Sequence, residues 1–277
     1  MKLLKLLTLF LCVQLAACGA GKTPNHPGEY PDNLISRDTL VQYGDQWLDA
    51  VGQGFYDQLP LSSDVRFTHN ANVKELNATT LPARDVSERR YYADEDKGQI
   101  VVFADTPDGP YNARLRINGD EITEIESWQG VGRNYWGQGA ESKKPMTRER
   151  LIQLTEAHLD ALQTGLPFAK YTADVIRTDN GHPFYGLPTC IGILCAGEMP
   201  VLGVAIKKVA DRRKVIDTKY NVVVTWIEWH FIDGSVLPMS ARFVMRNDAI
   251  SLIEVTFASD GVNHTPDWIN IFQPETP

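Results

Sequence analysis

The sequence repeats itself, and that repeat constrains the fold more than any other feature of the 277 residues. Ser36-Arg37-Asp38-Thr39-Leu40 opens one segment and Thr147-Arg148-Glu149-Arg150-Leu151 opens another. Each offers a hydroxyl that can cap a helix N-terminus and an acid for the first turn. Leu40, Tyr43, Trp47, Leu48 and Val51 then fall on one helical stripe, as do Leu151, Leu154, His158, Leu159 and Leu162. Leu-Asp-Ala recurs at the same place in both, at residues 48–50 and 159–161.

The correspondence continues downstream. Asp64-Val65-Arg66-Phe67-Thr68-His69-Asn70 matches Asp174-Val175-Ile176-Arg177-Thr178-Asp179-Asn180, and Glu88-Arg89-Arg90 with Asp94 matches Asp211-Arg212-Arg213 with Asp217. Matching hairpins follow, around Ala113-Arg114-Leu115, Asp120 and Ile122 in one copy and Ala241-Arg242-Phe243, Asp248 and Ile250 in the other. Each copy thus reads as a helix, a small irregular region and a run of antiparallel strands, the α+β order in which a helix covers one face of a curved sheet. The expected layout is a first repeat over 35–130, a glycine-rich polar linker over 131–146 and a second repeat over 147–277.

Ahead of the repeats lies an address. Met1 to Lys5 is basic, Leu6 to Val13 is mostly apolar, and Leu15-Ala16-Ala17-Cys18 supplies small residues, the pattern of a cleavable signal peptide over 1–17. Its end resembles the lipobox of bacterial lipoproteins, whose cysteine is acylated and becomes the new N-terminus. That resemblance implies a lipid on Cys18, and Gly19 in place of an acid implies the outer rather than the inner membrane. Residues 18–34 carry Gly, Pro, Asn and Asp with almost nothing apolar, the composition of a solvated tether. Gly21-Lys22-Thr23 is not a phosphate loop, because Ala16 stands where its first glycine belongs.

The formal charge of −8 becomes more negative by two once Lys2 and Lys5 leave with the signal, so neither nucleic acid nor an anionic lipid surface is an expected partner. With Cys12 removed and Cys18 acylated, Cys190 and Cys195 remain, in an oxidising compartment where they are expected to pair. A zinc site would need further Cys or His at ligand spacing, and the surroundings offer none.

At these residues a family resemblance emerges. A helix, then Asp-Val-Arg-Phe-Thr-x-Asn, then a hairpin ending Ile-x-x-Ile-Glu, looks like the nuclear transport factor 2 superfamily, which includes SnoaL-like and cystatin-like proteins. Arg177-Thr178-Asp179-Asn180-Gly181 with the later Asp211-Arg212-Arg213 is similar to a secreted branch found in bacteria and fungi. The resemblance implies a cone-shaped α+β fold with a pocket between helix and sheet. It does not imply one activity, since ketosteroid isomerase, scytalone dehydratase, limonene epoxide hydrolase, polyketide cyclases and noncatalytic binding modules share the fold.

The residues themselves nominate candidates. Pleating puts Asp211 with Arg213, and Glu88 with Arg90, on one side of a strand. The guanidinium could polarise a substrate oxygen, or the pair could be a structural feature of both repeats. The next strand differs between copies: Ile100 to Ala104 is wholly apolar, whereas Trp226, Glu228 and His230 share one face. An acid and an imidazole beside an indole suit acid/base chemistry; they equally suit a contact surface between repeats, since Ile227, Trp229 and Phe231 make the better core. Asp179, Asn180, His182 and Tyr185 fall in and beside the loop that lines the mouth of such a cone, and His69 is the counterpart of Asp179. With no metal triad, nucleophile elbow or dinucleotide fingerprint, no cofactor is expected. Two functions remain: a cofactor-independent lyase, isomerase or hydrolase with its acid/base residues in the second repeat, or a noncatalytic envelope module that binds a small molecule or an unidentified protein.

If Cys18 carries the lipid, Cys18→Ser should move the protein from the membrane fraction to the soluble fraction, or leave it unprocessed. A processed variant that still sediments with membranes would contradict the assignment.

Overall fold

The computed structural model describes residues 34–130, 144–164, 169–179, 182–183 and 206–257. Its first element, α1 (Arg37–Gln53), starts where Ser36 Oγ accepts the Thr39 N–H at 3.2 Å and stops at Gly54, whose φ of 74° lets its N–H reach back to Ala50 O at 2.7 Å. Leu40, Trp47, Leu48 and Val51 form its buried stripe. Gly44 is on that stripe because a Cβ there would stand 2.9 Å from Val102 Cγ1, so the helix can lie close on its sheet. The equivalent α2 (Arg148–Thr164) begins beneath Thr147 Oγ1, which accepts the Arg150 N–H at 3.3 Å, and buries Leu151, Leu154, His158, Leu159 and Leu162.

Strands β1 (Leu61–His69), β2 (Asn72–Val73), β3 (Ser87–Asp94), β4 (Gln99–Thr106), β5 (Gly109–Asn118) and β6 (Glu121–Gln129) form one sheet in the order β2-β1-β6-β5-β4-β3. Strands β7 (Tyr171–Asp179), β8 (His182–Pro183), β9 (Ile206–Asp217), β10 (Val222–Phe231), β11 (Val236–Arg246) and β12 (Ala249–Phe257) form a second in the same order. The sheets are mixed, not antiparallel as the run of hairpins suggests. β1 pairs parallel with β6, and β7 with β12. The residue period marks a strand without giving its pairing direction, and β1 joins the sheet beside the last strand of its own meander. Each third strand carries a bulge, at Glu88 in β3 and at Asp211 in β9, both with φ of 51°.

Each helix packs on one face of its own sheet. In the first half α1 joins Phe67, Ile100, Val102, Ala113, Leu115 and Ile125 in one core; in the second α2 joins Val175, Ile227, Trp229, Met239, Phe243 and Ile253 in another. The opposite sheet faces meet each other. Tyr92, Val101, Phe103 and Trp128 pack with Val215, Val224, Trp226, Val244 and Leu252 in a third cluster. This explains why Ile100 to Ala104 of β4 is wholly apolar: Ile100 and Val102 face the helix while Val101 and Phe103 face the other sheet.

The two sheets are braced where β3 meets β9. Asp94, at the end of β3, accepts two hydrogen bonds from Arg148, the first residue of α2, at 2.7 and 2.8 Å, and a third from Ile216 N–H of β9 at 3.0 Å. Asp217, at the end of β9, takes Arg37, the first residue of α1, at 2.7 Å and Ala93 N–H of β3 at 2.9 Å. Each half thus supplies an aspartate to the helix start and strand backbone of the other, a reciprocal exchange like that across a two-fold interface. Both carboxylates have side-chain exposures of 0%. Burial pushes the Asp94 carboxyl up from its ordinary range, against the opposing pull of Arg148. Removing one member of a buried charge pair typically costs about 3–5 kcal/mol, whereas an exposed pair contributes at most about 1 kcal/mol. Because the arginines are partly exposed, Asp94→Asn and Asp217→Asn should each lower unfolding free energy in urea by about 3 kcal/mol. Asp49→Asn, which removes an exposed partner of Arg89, should cost about 1 kcal/mol or less; equal losses would contradict the role of the braces.

Candidate functional site

The acid and arginine residues of β9 and β10 lie at the seam between the sheets. Arg213 forks onto Asp211, with Nε at 2.8 Å, and reaches across to Glu126 of the first half. Glu126 is also held by Arg114 Nε at 2.6 Å, and Arg114 extends its other end to Glu124 at 2.6 Å. The Arg114 guanidinium stands 5.7 Å from the ring of Trp226, itself only 1% exposed. Trp226 therefore sits in the layer between the sheets. Burial, followed by the charge of Arg114, pushes the Arg213 guanidinium down to about 10, so it stays cationic at neutral pH.

The other copy repeats part of this arrangement. Arg242 pairs with Glu254 at 2.7 Å, as Arg114 does with Glu126, and bonds across the seam to the Tyr92 hydroxyl. At the seam's margin Glu228 and His230 face each other at 3.0 Å with side chains 37% and 33% exposed. The acid and the imidazole thus meet, but they do so at the water-facing edge of a sheet contact. Arg212, which the alternating pattern sets on the opposite side from Arg213, turns to α2 and binds Glu156 and Asp160, just as Arg89 binds Asp45 and Asp49 of α1.

A different polar set lies beneath α2. His158, the eleventh residue of that helix, is 2% exposed and places Nδ1 2.9 Å from the Tyr171 hydroxyl. Burial, reinforced by the charge of Arg177, pushes its imidazole down to about 3, so the ring is neutral in the folded protein. Arg177 is itself buried, with its guanidinium 5.8 Å from the Trp229 ring, and Trp229 Nε1 finds no hydrogen-bond partner. The first half holds Trp47 at the eleventh helix position, and Leu61 and Phe67 where β7 has Tyr171 and Arg177. Its polar groups form a satisfied chain instead. Trp47 Nε1 donates to Tyr111 at 3.0 Å, Tyr111 meets Ser127, and Ser127 lies 2.9 Å from His69 Nδ1. The apolar stripe hides His158 from a sequence reading, because a histidine at stripe spacing looks like any core residue. The available signal is the exchange of Phe67 for Arg177 between copies.

Asp179 and His182 are register partners in the β7–β8 hairpin, where the structure describes backbone only. Cys18, Asn180, Tyr185, Cys190 and Cys195 lie outside the described residues. A cavity of ≈ 50 Å³ beside the braces is lined by Arg37, Asp94, Arg148, Asp217 and Lys219 and has room for little beyond water. Among the described residues no group of three His, Cys, Asp or Glu could hold a metal ion.

A family profile described as "Domain of unknown function (DUF8021)" matches residues 144–257, from just before α2 to the end of β12. A search of curated proteins finds no match. Among solved structures the chain is similar to a de novo designed protein with a curved β-sheet, at 18% identity over 46% of this chain and 99% of that one, with a TM-score of 0.38. It is similar to a nuclear transport factor 2-like protein of unknown function from Cytophaga hutchinsonii, at 15% identity over 42% and 93% of the two chains, with a TM-score of 0.32. It is also similar to a putative polyketide cyclase from Pseudomonas putida, at 16% identity over 44% and 98%, with a TM-score of 0.32. Its structural neighbours are thus nuclear transport factor 2-like, polyketide-cyclase-like and cystatin-like folds.

Proposed function

We propose that this is a lipid-anchored envelope protein whose second half holds a small, partly apolar molecule in the interior of its cone, between α2 and the sheet. The carrying observation is the set of buried His158, Arg177 and Trp229 with half-buried Tyr171; His158, Tyr171 and Arg177 stand where the first half has Trp47, Leu61 and Phe67. Polar groups in a core cost stability unless something compensates, and a ligand oxygen would satisfy the Trp229 donor. A neutral His158 suits hydrogen bonding to an uncharged group, since it can donate or accept without titrating. In this reading the first half is a scaffold, and Cys18 tethers the body to the outer membrane through residues 18–34. No helix among the described residues is long and apolar enough to cross a membrane.

The binding reading is preferred over catalysis by Asp211, Arg213, Glu228 and His230, because those groups line the seam between the sheets and its exposed margin. A general acid or base gains its altered affinity for protons from a closed, water-poor site.

The test uses soluble Cys18→Ser protein and the apolar dye 1-anilinonaphthalene-8-sulfonate as probe. Wild type should bind it saturably. His158→Phe and Trp229→Phe, which keep an aromatic ring but remove the hydrogen-bonding nitrogen, should weaken binding about tenfold, equivalent to about 1.4 kcal/mol, while Trp47→Phe in the first half should leave it unchanged. Unchanged binding in the second-half variants, or equal loss from Trp47→Phe, would contradict the assignment. Retained binding alongside a turnover abolished by Glu228→Gln would instead support the catalytic alternative.

A further inference from the structure

The layer between the sheets has its charges paired and some of its neutral polar atoms unpaired. Arg114 and Arg242 each face a glutamate on the next strand, Glu126 and Glu254. Two residues earlier on the same strands, and so on the same face, stand Asn112 and Ser240. They are 0% and 1% exposed. Asn112 Nδ2 and Oδ1 and Ser240 Oγ find no hydrogen-bond partner, nor does Trp226 Nε1. Trp226 is the register partner of Ser240 on β10, and Phe103 is that of Asn112 on β4. The orphaned atoms therefore fall at two matched spots, each beside an aromatic ring of the seam.

Buried side-chain polar atoms in folded proteins nearly always have a partner. One orphan could be an accident of packing. A polar residue at the same buried position in both copies, unsatisfied in both, indicates that something small supplies the missing bonds.

We infer that each spot is a binding site for an ordered water molecule, so that the sheets meet across a partly hydrated seam. The donor and acceptor inventory selects the occupant. At the first spot Asn112 Nδ2 only donates and Oδ1 only accepts, so the occupant must both accept and donate; at the second Trp226 Nε1 only donates, so the occupant must accept, and Ser240 Oγ can do either. An ammonium or metal cation cannot accept at either spot, and a simple anion cannot donate to Asn112. The nearby arginines already have glutamates, which leaves no net charge for an ion to balance. Water meets both requirements, because it donates and accepts.

Water-selective nuclear Overhauser spectroscopy on isotope-labelled Cys18→Ser protein tests this directly. Cross peaks with the sign of a bound, slowly exchanging water are expected at the Trp226 indole N–H and the Asn112 side-chain amide. Trp226→Phe should remove the first signal and so assign it. Asn112→Leu should abolish the water contacts of its own spot and leave those at Trp226. A crystal structure should show water density within hydrogen-bond reach of both groups. Assigned Trp226 and Asn112 protons without water cross peaks, in a seam that is dry in the crystal, would overturn the inference.

Discussion

The exchange of Asp94 and Asp217 between the halves is the interaction on which the rest of the arrangement depends. Each buried carboxylate gathers a guanidinium from the opposite helix start and a backbone N–H from the opposite strand. Helix starts carry unsatisfied N–H groups and a partial positive charge, so an acid nearby is favoured there on two counts. Because the two exchanges are reciprocal, they hold β3 against β9 in a single register. That register puts Arg213 within reach of Glu126 and Arg242 within reach of Tyr92, and it buries Trp226. The sheets consequently have no free apolar face at β4 and β10, and the polar residues between them become seam.

This placement separates two kinds of polar residue that look alike in one dimension. Asp211 and Arg213 stand where the first half has Glu88 and Arg90, and Glu228 takes the register position that Asp105 takes in β4. Beneath the helices the copies diverge. The first half closes its interior with Trp47, Tyr111, Ser127 and His69 in a hydrogen-bonded chain. The second leaves an indole N–H unanswered beside a neutral histidine and a buried guanidinium. After a duplication, one interior can serve stability while the other is free to hold a ligand.

Much of the fold is legible in the sequence because it is written twice. The capped starts at Ser36 and Thr147, the apolar stripes and the alternating hairpins each have a local physical cause, and their recurrence turns weak signals into one architecture. What stays hidden is non-local. Arg37, Asp94, Arg148 and Asp217 recur as residues, but which partner each finds depends on how the halves meet. The parallel pairing of β1 with β6 leaves no mark on residue period. Alternation does set Arg89 and Arg212 opposite Arg90 and Arg213, but the bulges at Glu88 and Asp211 carry no glycine to announce their positive φ. His158 hides because its spacing is that of a core residue, and only comparison of the interiors sets it apart.

If the braces and the seam make the halves one folding unit, calorimetry of the soluble Cys18→Ser protein should show it most directly. A single thermal transition is predicted, with calorimetric and van't Hoff enthalpies in agreement. Two separable transitions, one for each half, would contradict the account.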